Sequence, residues 1–385
     1  MLSPISKRWI HSTMHPVLYI LRAARALTAL TTLVFGLALP APSTAQQTAS
    51  VDSLAQAFKA TTNLPGLIVG VATPTEMRVL PYGVSALGDS SKVHDGTVVE
   101  IGSLTKVFTG LLLAEMAERG VVRLNDPVSA YLPDSVRIAP AHTARITLQH
   151  LSTHTSGLAR LPGNLAPANP ADPYADYTAA DLYAFLQDAQ PSRAPGAAYA
   201  YSNVGTGLLG HLLARHVDAS YEAMLQQRIL DPLGLHDTGF DVPPDSAASH
   251  HATGYASGRA VPYWTFDVLA GAGALRSTAP DMLRFLQMNL RPEGQPLASA
   301  LRAAQTVHHR GGGGPTLALG WHVAPLPTGA PLYWHNGGTG GFRSFAGFVQ
   351  DGSVAVVVLA NGALPLQQFN RFAFQVMHAA LNENT

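Results

Sequence analysis

The chain of 385 residues contains no cysteine and carries no excess of either charge. The absence of cysteine excludes a thiol nucleophile, a disulfide framework, a cysteine-ligated metal site and a lipid anchor attached through an N-terminal cysteine. The 24 basic residues balance the 24 acidic residues, so the composition gives no electrostatic signal for a nucleic-acid partner. Apolar residues make up 47% of the chain, which is enough for a large buried core.

The N-terminal segment is typical of an export signal. Its basic residues come first, namely Lys7, Arg8, Arg22 and Arg25. An apolar run over residues 26–39 follows and leads to small residues ending at Ala45, so we expect residues 1–45 to be a signal peptide cleaved after Ala45. Met14 is an alternative start. The apolar run is shorter than the roughly 20 residues that a spanning helix needs, which disfavours an uncleaved membrane anchor.

The most apolar stretch, residues 101–120, predicts a buried central helix. Almost every side chain in residues 107–117 is apolar, as in helices buried on all sides. Ser103 and Lys106 lie three residues apart at its start and share one face. Burial and the positive end of the helix lower the pKa of such a lysine, and a neutral amine can accept the proton of a serine nucleophile. Alternatively, Ser103 caps the helix and Lys106 reaches solvent.

The order of the predicted elements indicates an α/β fold with a helical insertion. Short strands are predicted near both ends of the chain, and mostly helices lie between them. We therefore expect one α/β lobe built from residues 46–120 and 310–385, with residues 121–309 inserted as a mainly helical lobe. A cleft between two lobes is a usual place for an active site. The Pro-rich and Ala-rich segment 161–195 is predicted to be irregular and is a candidate rim or lid.

Two further stretches hold polar groups that can reach such a cleft. Tyr201 and Asn203 lie just before a predicted helix, although Ser202 or Asn203 alternatively caps that helix. His335 ends a predicted aromatic strand and can act as a hydrogen-bonding or proton-donating group. The glycines that follow it permit close approach of a ligand or form a hairpin turn.

His150 and His154 have the spacing of two metal ligands on one helix. No acidic residue that could act as a general base lies between them, so the pattern disfavours a zinc hydrolase. We therefore expect no metal ion. No organic cofactor is expected either.

Taken together and in chain order, these motifs resemble those of the serine β-lactamase and penicillin-binding protein superfamily. The motifs are Ser-Leu-Thr-Lys at 103–106, Tyr-Ser-Asn at 201–203 and His-Asn-Gly at 335–337, with supporting stretches at 153–158, 270–278 and 337–343. The resemblance covers residues 51–380 and is closest to the class C β-lactamase-like branch, which also holds D-alanyl-D-alanine carboxypeptidases, D-amino-acid peptidases and esterases. It implies a β-lactamase/transpeptidase-like fold with an antiparallel sheet flanked by helices.

The resemblance also implies catalytic roles for the motif residues. Ser103 matches the nucleophile that forms an acyl-enzyme, and Lys106 matches the lysine that helps to deprotonate it. Tyr201 matches the tyrosine that relays the proton to the leaving group, and Asn203 the residue that hydrogen-bonds the substrate amide and the lysine. The backbone N–H groups of Ser103 and Gly338 match an oxyanion hole, where losing one donor typically costs about 10²–10³ in rate.

One position departs from the family pattern. Typical β-lactamases have a lysine where this chain has His335, and that lysine supports the tyrosine and attracts the substrate carboxylate. Histidine is mostly neutral at pH 7, so the attraction should be weaker, and relatives with histidine there include peptidases and esterases. We expect His335, Gly337 and Gly338 to bind substrate together with Asn203.

The sequence thus predicts an exported serine hydrolase, periplasmic or secreted, that acts through an acyl-enzyme. The expected substrate is a β-lactam or a D-alanyl peptide, and the expected state is a monomer without a nucleic-acid partner or a membrane contact after signal cleavage. One alternative is a carboxylesterase of the same fold. The other is a non-hydrolytic penicillin-sensing or cell-wall-binding module, which acylates without turnover.

Overall fold

The computed structural model describes residues 49–88, 90–136, 145–241, 250–310, 314–350 and 352–384. The signal peptide predicted for residues 1–45 lies outside these ranges. Within them the helices are α1 (Val51–Thr61), α2 (Thr105–Glu118), α3 (Leu148–Ser152), α4 (Ala179–Asp188), α5 (Asn203–His216), α6 (Tyr221–Leu225), α7 (Asp231–Leu233), α8 (Ala279–Leu290), α9 (Ala298–Gln305) and α10 (Leu366–Glu383).

The strands in the described ranges are β1 (Gly66–Ala72), β2 (Met77–Gly83), β3 (Thr97–Glu100), β4 (His250–His251), β5 (Gly254–Ala256), β6 (Arg259–Val261), β7 (Arg276–Ser277), β8 (His309–Arg310), β9 (Thr316–Leu317), β10 (His322–Pro325), β11 (Pro331–Gly338), β12 (Arg343–Val349) and β13 (Ala355–Ala360). Eight of them form one sheet in the order β2-β1-β13-β12-β11-β10-β9-β8. All neighbours in this sheet run antiparallel. Strands from the two ends of the chain are therefore adjacent in its centre.

The two faces of the sheet are covered by different helices. In β1, Leu67 and Val69 join the apolar layer of α1 and α10, whereas Ile68 and Ala72 join the larger layer that contains α2 and α8. This division follows from the alternation of side chains along a strand. The antiparallel sheet flanked by helices, which the resemblance implied, is confirmed.

The central helix α2 is buried along nearly its whole length. Every residue from Thr105 to Met116 is buried, because the helix lies among α3, α5 and α9 rather than on the surface. The helix begins at Thr105, however, and residues Gly102–Leu104 form a separate 3₁₀ turn. Ser103 is thus held on that turn, just before the first residue of α2.

Some elements depart from the sequence pattern. Residues 317–323 do not form one of the continuous strands expected near the end of the chain, because Gly320 has a φ of +75° and separates β9 from β10. Helix α8 packs on the sheet, although residues 279–290 fall in the range predicted for the helical lobe. The predicted lobe boundaries, 46–120 with 310–385 and 121–309, stay a prediction. Every helix in the described ranges is too short or too polar to cross a lipid bilayer.

Candidate active site

Hydrogen bonds from both neighbouring elements hold the turn that carries Ser103. Thr105 Oγ1, in the first turn of α2, donates to the carbonyl of Gly102 at 2.7 Å. Ser344 Oγ, on β12, donates to the carbonyl of Ile101 at 2.7 Å. The hydroxyl of Ser103 therefore projects from a turn fixed between the sheet and the start of a helix.

Two glycines allow this turn to lie directly against β11. Gly102 has a φ of +50°, and a Cβ there would lie 2.9 Å from the backbone nitrogen of Gly338. A Cβ on Gly337 would lie 2.1 Å from the carbonyl oxygen of Ile101, closer than non-bonded atoms approach. Only glycine fits at these positions, and the close packing brings Ser103 next to Gly338.

Lys106 is buried and contacts Ser103. Its side chain is 1% exposed, and Nζ donates to Ser103 Oγ at 3.1 Å and to the carbonyl of Ala272 at 2.6 Å. Burial, helped by the positive charge of Arg160, lowers the pKa of Lys106 well below its usual range. The expected direction of the shift is confirmed, and the reach to solvent offered as the alternative is excluded.

Tyr201 contacts Ser103 from the other side. Its phenol donates to Ser103 Oγ at 2.9 Å, while Lys106 Nζ lies 5.1 Å and the Arg160 guanidinium carbon 4.8 Å from its ring centre. Burial raises the pKa of Tyr201 above its usual range, so the phenol is protonated at neutral pH. Two side chains that are far apart in the sequence, Lys106 and Tyr201, thus meet at the hydroxyl of Ser103.

His154 holds the segment that carries Tyr201. Its carbonyl accepts the N–H of Ala200 at 2.8 Å, and its Nδ1 accepts the N–H of Ser202 at 3.2 Å. Its ring centre lies 4.3 Å from that of Tyr201. His150, in contrast, accepts the N–H of Thr147 at the start of α3. The two histidines therefore accept hydrogen bonds from different parts of the backbone. The described residues contain no cluster of three or more ligands suited to a metal ion.

Asn203 begins α5, but the cap of that helix is Ser202, whose Oγ accepts the N–H of Gly205 at 2.9 Å. Asn203 Nδ2 donates to the Tyr174 hydroxyl at 3.3 Å, and its buried Oδ1 has no partner among the described residues. The hydrogen bond to Lys106 that the resemblance implied is therefore absent. That amine donates to a backbone carbonyl and to the serine hydroxyl instead.

His335 is enclosed rather than exposed to solvent. It is 1% exposed, and its Nδ1 lies 2.6 Å from the carbonyl oxygen of Asn336. Its ring centre lies 6.3 Å from that of Tyr201 and 5.1 Å from that of His322. Burial is the main cause that lowers the pKa of His335 well below its usual range, so the ring is neutral at pH 7.

A cavity of about 420 Å³ opens over Ser103. Its lining includes Tyr201, Gly337 and Gly338 from the predicted site, together with Arg160 and Arg343. Of the other predicted residues, Lys106 contacts Ser103 from within the protein, and Asn203 and His335 are absent from the described lining of this cavity. The histidine motif lies in strand β11 itself rather than in a connecting turn.

A small recess of about 20 Å³ lies beside Ser103 and is lined in part by Asn203, Tyr174 and Phe266. The rings of Tyr174 and Phe266 stack with their centres 4.7 Å apart. The segment predicted to be irregular, residues 161–195, therefore supplies part of the site through Tyr174.

Sequence reasoning did not single out Arg160, Arg343 or Tyr174. The two arginines could have been found from their position near the family motifs, because Arg160 follows the stretch at 153–158 and Arg343 ends the stretch at 337–343. Tyr174 gave no such signal, because the segment around it has neither periodicity nor a motif.

Known proteins are similar to this chain over most of its length. The family model described as Beta-lactamase matches residues 51–380. A beta-lactamase of Escherichia coli (strain K12) is 29% identical over 349 residues, which span 82% of this chain and 89% of that protein. The D-alanyl-D-alanine-carboxypeptidase/endopeptidase AmpH of the same strain is 29% identical over 305 residues, which span 76% of this chain and 78% of that protein.

Solved structures show the same fold. A class C beta-lactamase with 27% identity superposes with a TM-score of 0.75, covering 85% of this chain and 94% of that one. A beta-lactamase/D-alanine carboxypeptidase from Pseudomonas syringae gives a TM-score of 0.74 at 24% identity, covering 85% and 97%. The fold and the serine hydrolase class predicted from the sequence are confirmed. The match to the family model over most of the chain shows that the protein belongs to the beta-lactamase family.

Proposed function

We propose that the protein hydrolyses a β-lactam or a D-alanyl peptide through an acyl-enzyme on Ser103. The observation that carries the proposal is that Ser103 Oγ lies within hydrogen-bond distance of both Lys106 Nζ, at 3.1 Å, and the Tyr201 hydroxyl, at 2.9 Å. A nucleophile with a neutral amine on one side and a phenol on the other can exchange protons in both directions. The similarity to a beta-lactamase and to a D-alanyl-D-alanine carboxypeptidase supports this choice of substrate.

In the first step, the neutral amine of Lys106 takes the hydroxyl proton while Ser103 Oγ attacks the substrate carbonyl. The carbonyl oxygen becomes an oxyanion and accepts hydrogen bonds from the backbone N–H groups of Ser103 and Gly338. The close approach of these two backbones, which Gly102 and Gly337 permit, supports this assignment. The amine works as a base at neutral pH because burial lowers its pKa.

In the second step, the tetrahedral intermediate collapses and the carbon–nitrogen bond breaks. Tyr201 donates its proton to the leaving nitrogen, and the proton held by Lys106 then restores the phenol. Water then attacks the acyl-enzyme carbonyl and loses a proton to the pair of Tyr201 and Lys106. The ester bond to Ser103 Oγ breaks, and Ser103 regains its hydroxyl proton from that pair. We assign these steps to the protein's own side chains, without a metal or an organic cofactor.

Substrate binding is assigned to the groups around Ser103. The Oδ1 of Asn203, which has no partner among the described residues, can accept an N–H of the acyl part, and Gly337 and Gly338 present backbone groups from β11. His335 acts from behind Tyr201 rather than as a charged contact, because its ring is buried and neutral. The basic and apolar pattern of residues 1–45 supports export to the periplasm or medium, where we propose that the protein works as a monomer.

Stopped-flow kinetics with a chromogenic β-lactam, a D-alanyl-D-alanine peptide and a p-nitrophenyl ester test this proposal on one preparation. Steady turnover of the β-lactam or of the peptide supports it. A single stoichiometric burst without turnover supports the sensing module instead. Ester cleavage without cleavage of either amide supports the carboxylesterase.

A further inference from the structure

Glu100 is a buried carboxyl group that the steps assigned above leave unused. It is the last residue of β3, is 3% exposed and lies three residues before Ser103. Its Oε2 accepts the hydroxyl of Thr339 at 2.6 Å, and its Oε1 accepts the backbone N–H of Trp264 at 2.5 Å. A buried charge is costly unless it is hydrogen-bonded, and each oxygen of this carboxylate has a donor.

The first donor belongs to the end of β11. Thr339 follows Gly338, whose backbone N–H is assigned to the oxyanion hole, and the N–H of Thr339 donates to the carbonyl of Phe342 at 3.2 Å. Because Gly338 and Thr339 share one planar peptide group, a movement of Thr339 displaces the backbone of Gly338. The hydrogen bond to Glu100 therefore holds the residue next to an oxyanion donor.

The second donor belongs to a segment that lines the small recess of the site. Trp264 contributes to that lining, and its indole Nε1 donates to the carbonyl of Ala171 at 3.0 Å. Thr265 donates to the carboxylate of Asp172 through its N–H at 2.8 Å and its hydroxyl at 2.6 Å. The Trp264 segment thus holds the stretch of chain that leads to Tyr174, another residue of the recess.

We infer that Glu100 is a positioning residue for the proposed acyl transfer, because its carboxylate ties the end of β11 to the Trp264 segment and so fixes two walls of the site around Ser103. This role rests on the proposed function. Glu100 acts through its two donors, and it is absent from the described lining of both the cavity and the recess. The two walls also meet directly, since a Cβ on Gly340 would lie 3.0 Å from Trp264 Nε1.

The strength of this link depends on the charge of Glu100. Burial raises the pKa of Glu100 to about 7, although its two hydrogen bonds and Arg276, opposite it on β7, act to lower it. Asp172 acts to raise it, and Tyr263 stays neutral because burial raises its own pKa. Hydrogen bonds to an ionised acceptor are roughly twice as strong as neutral ones. The link to Thr339 is therefore strong above about pH 7 and weak below it.

Glu100→Gln tests the role of that charge. Like the protonated acid, an amide offers one acceptor and one donor group in nearly the same volume. We expect kcat to fall about 10- to 100-fold at a pH of about 8.5, with KM little changed, because the oxyanion donor is displaced rather than removed. At a pH of about 5.5 the two proteins should agree within about threefold, since wild-type Glu100 is then protonated as well. The limb due to Lys106 is common to both proteins and cancels in their ratio, and a ratio that does not change with pH would overturn the inference.

Asp281 provides a matched control away from the site. It is also a buried carboxyl group with a pKa raised by burial, and its Oδ2 accepts the hydroxyl of Thr238 at 2.9 Å and the N–H of Asp237 at 2.8 Å. Asp281→Asn should lower the free energy of unfolding and leave the pH dependence of kcat as in the wild type. The same change in pH dependence in both variants would assign the effect of Glu100→Gln to stability and refute the positioning role.

Variants of Thr339 test the link from its other end. Thr339→Val removes the hydroxyl donor and should lower kcat about tenfold above pH 7, whereas Thr339→Ser keeps the donor and should lose less. Adding Thr339→Val to Glu100→Gln should cause little further loss, because both changes break one contact. Losses that add in full in the double variant would contradict a shared contact.

Hydrogen exchange separates this inference from the proposed function. Amide exchange at a pH of about 8 is followed by mass spectrometry on peptides that cover residues 336–343 and 261–268. Both segments should exchange at least about tenfold faster in Glu100→Gln than in the wild type, and neither should do so in Asp281→Asn. This result supports the link even if the wild-type protein cleaves no β-lactam or peptide. Unchanged exchange in both segments refutes it, even if every substrate is turned over.

Discussion

Basic side chains buried beneath the cavity over Ser103 differ in charge from the arginines that line it. Beneath the cavity, Lys106 and His335 are buried, and burial favours their neutral forms. On the rim, Arg160 and Arg343 keep their charge and have no carboxylate partner among the described residues. Proton transfer needs groups that can gain and lose a proton near neutral pH, whereas recognition needs charge that does not change. The comparison teaches that depth in the protein decides which basic side chains are held toward their neutral forms.

The largest effect is expected when the nucleophile Ser103 is removed. We expect Ser103→Ala to lower turnover by at least about 10⁴-fold, because no acyl-enzyme can form. Intact-mass spectrometry after incubation with a β-lactam should show the adduct on the wild-type protein and not on the variant. Thermal unfolding of the two proteins should agree. An adduct on Ser103→Ala would place the nucleophile elsewhere.

Removing the buried amine comes next. Lys106→Met should lower kcat/KM about 10³-fold, within the range for loss of a general base. The wild-type rate should stay high at neutral pH and fall as the pH drops through the lowered pKa of Lys106, because the protonated amine cannot accept a proton. That acid limb should be missing from the profile of the variant. Lys92→Met, at an exposed lysine, is the control, and an unchanged limb in Lys106→Met would assign it to another group.

The phenol should matter more for poor leaving groups than for good ones. Tyr201→Phe removes the proton donor and should lower amide or β-lactam turnover about 10²-fold. A p-nitrophenyl ester, whose leaving group departs without a proton, should lose less than tenfold. Parallel assays of the two substrates check this difference. Equal losses would indicate that Tyr201 only positions Ser103.

The smallest expected effect comes from disturbing the backbone contact between the Ser103 turn and β11. A Cβ in Gly337→Ala would lie 2.1 Å from the Ile101 carbonyl oxygen, so the Ser103 turn must move away from β11. We expect a loss of about 1–3 kcal/mol in the free energy of unfolding and about tenfold in kcat. Urea unfolding and steady-state assays measure both. Gly163→Ala, where a Cβ meets open space, should change neither.

Local patterns in the sequence determined much of this protein. The apolar run predicts α2, and the spacing of Ser103 and Lys106 predicts that they meet, because three residues are about one helical turn. Alternating strands near both chain ends predict the mixed architecture. The order of short motifs was enough to identify the family, since their chemistry depends on the residue types themselves.

Tertiary structure alone decided which side chains are buried and which meet. His335 is a polar strand residue in the sequence, and only the packing of β11 behind Tyr201 encloses and neutralises it. Helix α9 begins after Leu297 in the left-handed region without a side-chain cap, so no local start signal marks it. Arg160 and Arg343 are far apart in the chain, and the pairing that sets Gly338 opposite Arg343 brings the second arginine to the cavity. Such long-range register depends on the whole sheet, and no local stretch of sequence contains it.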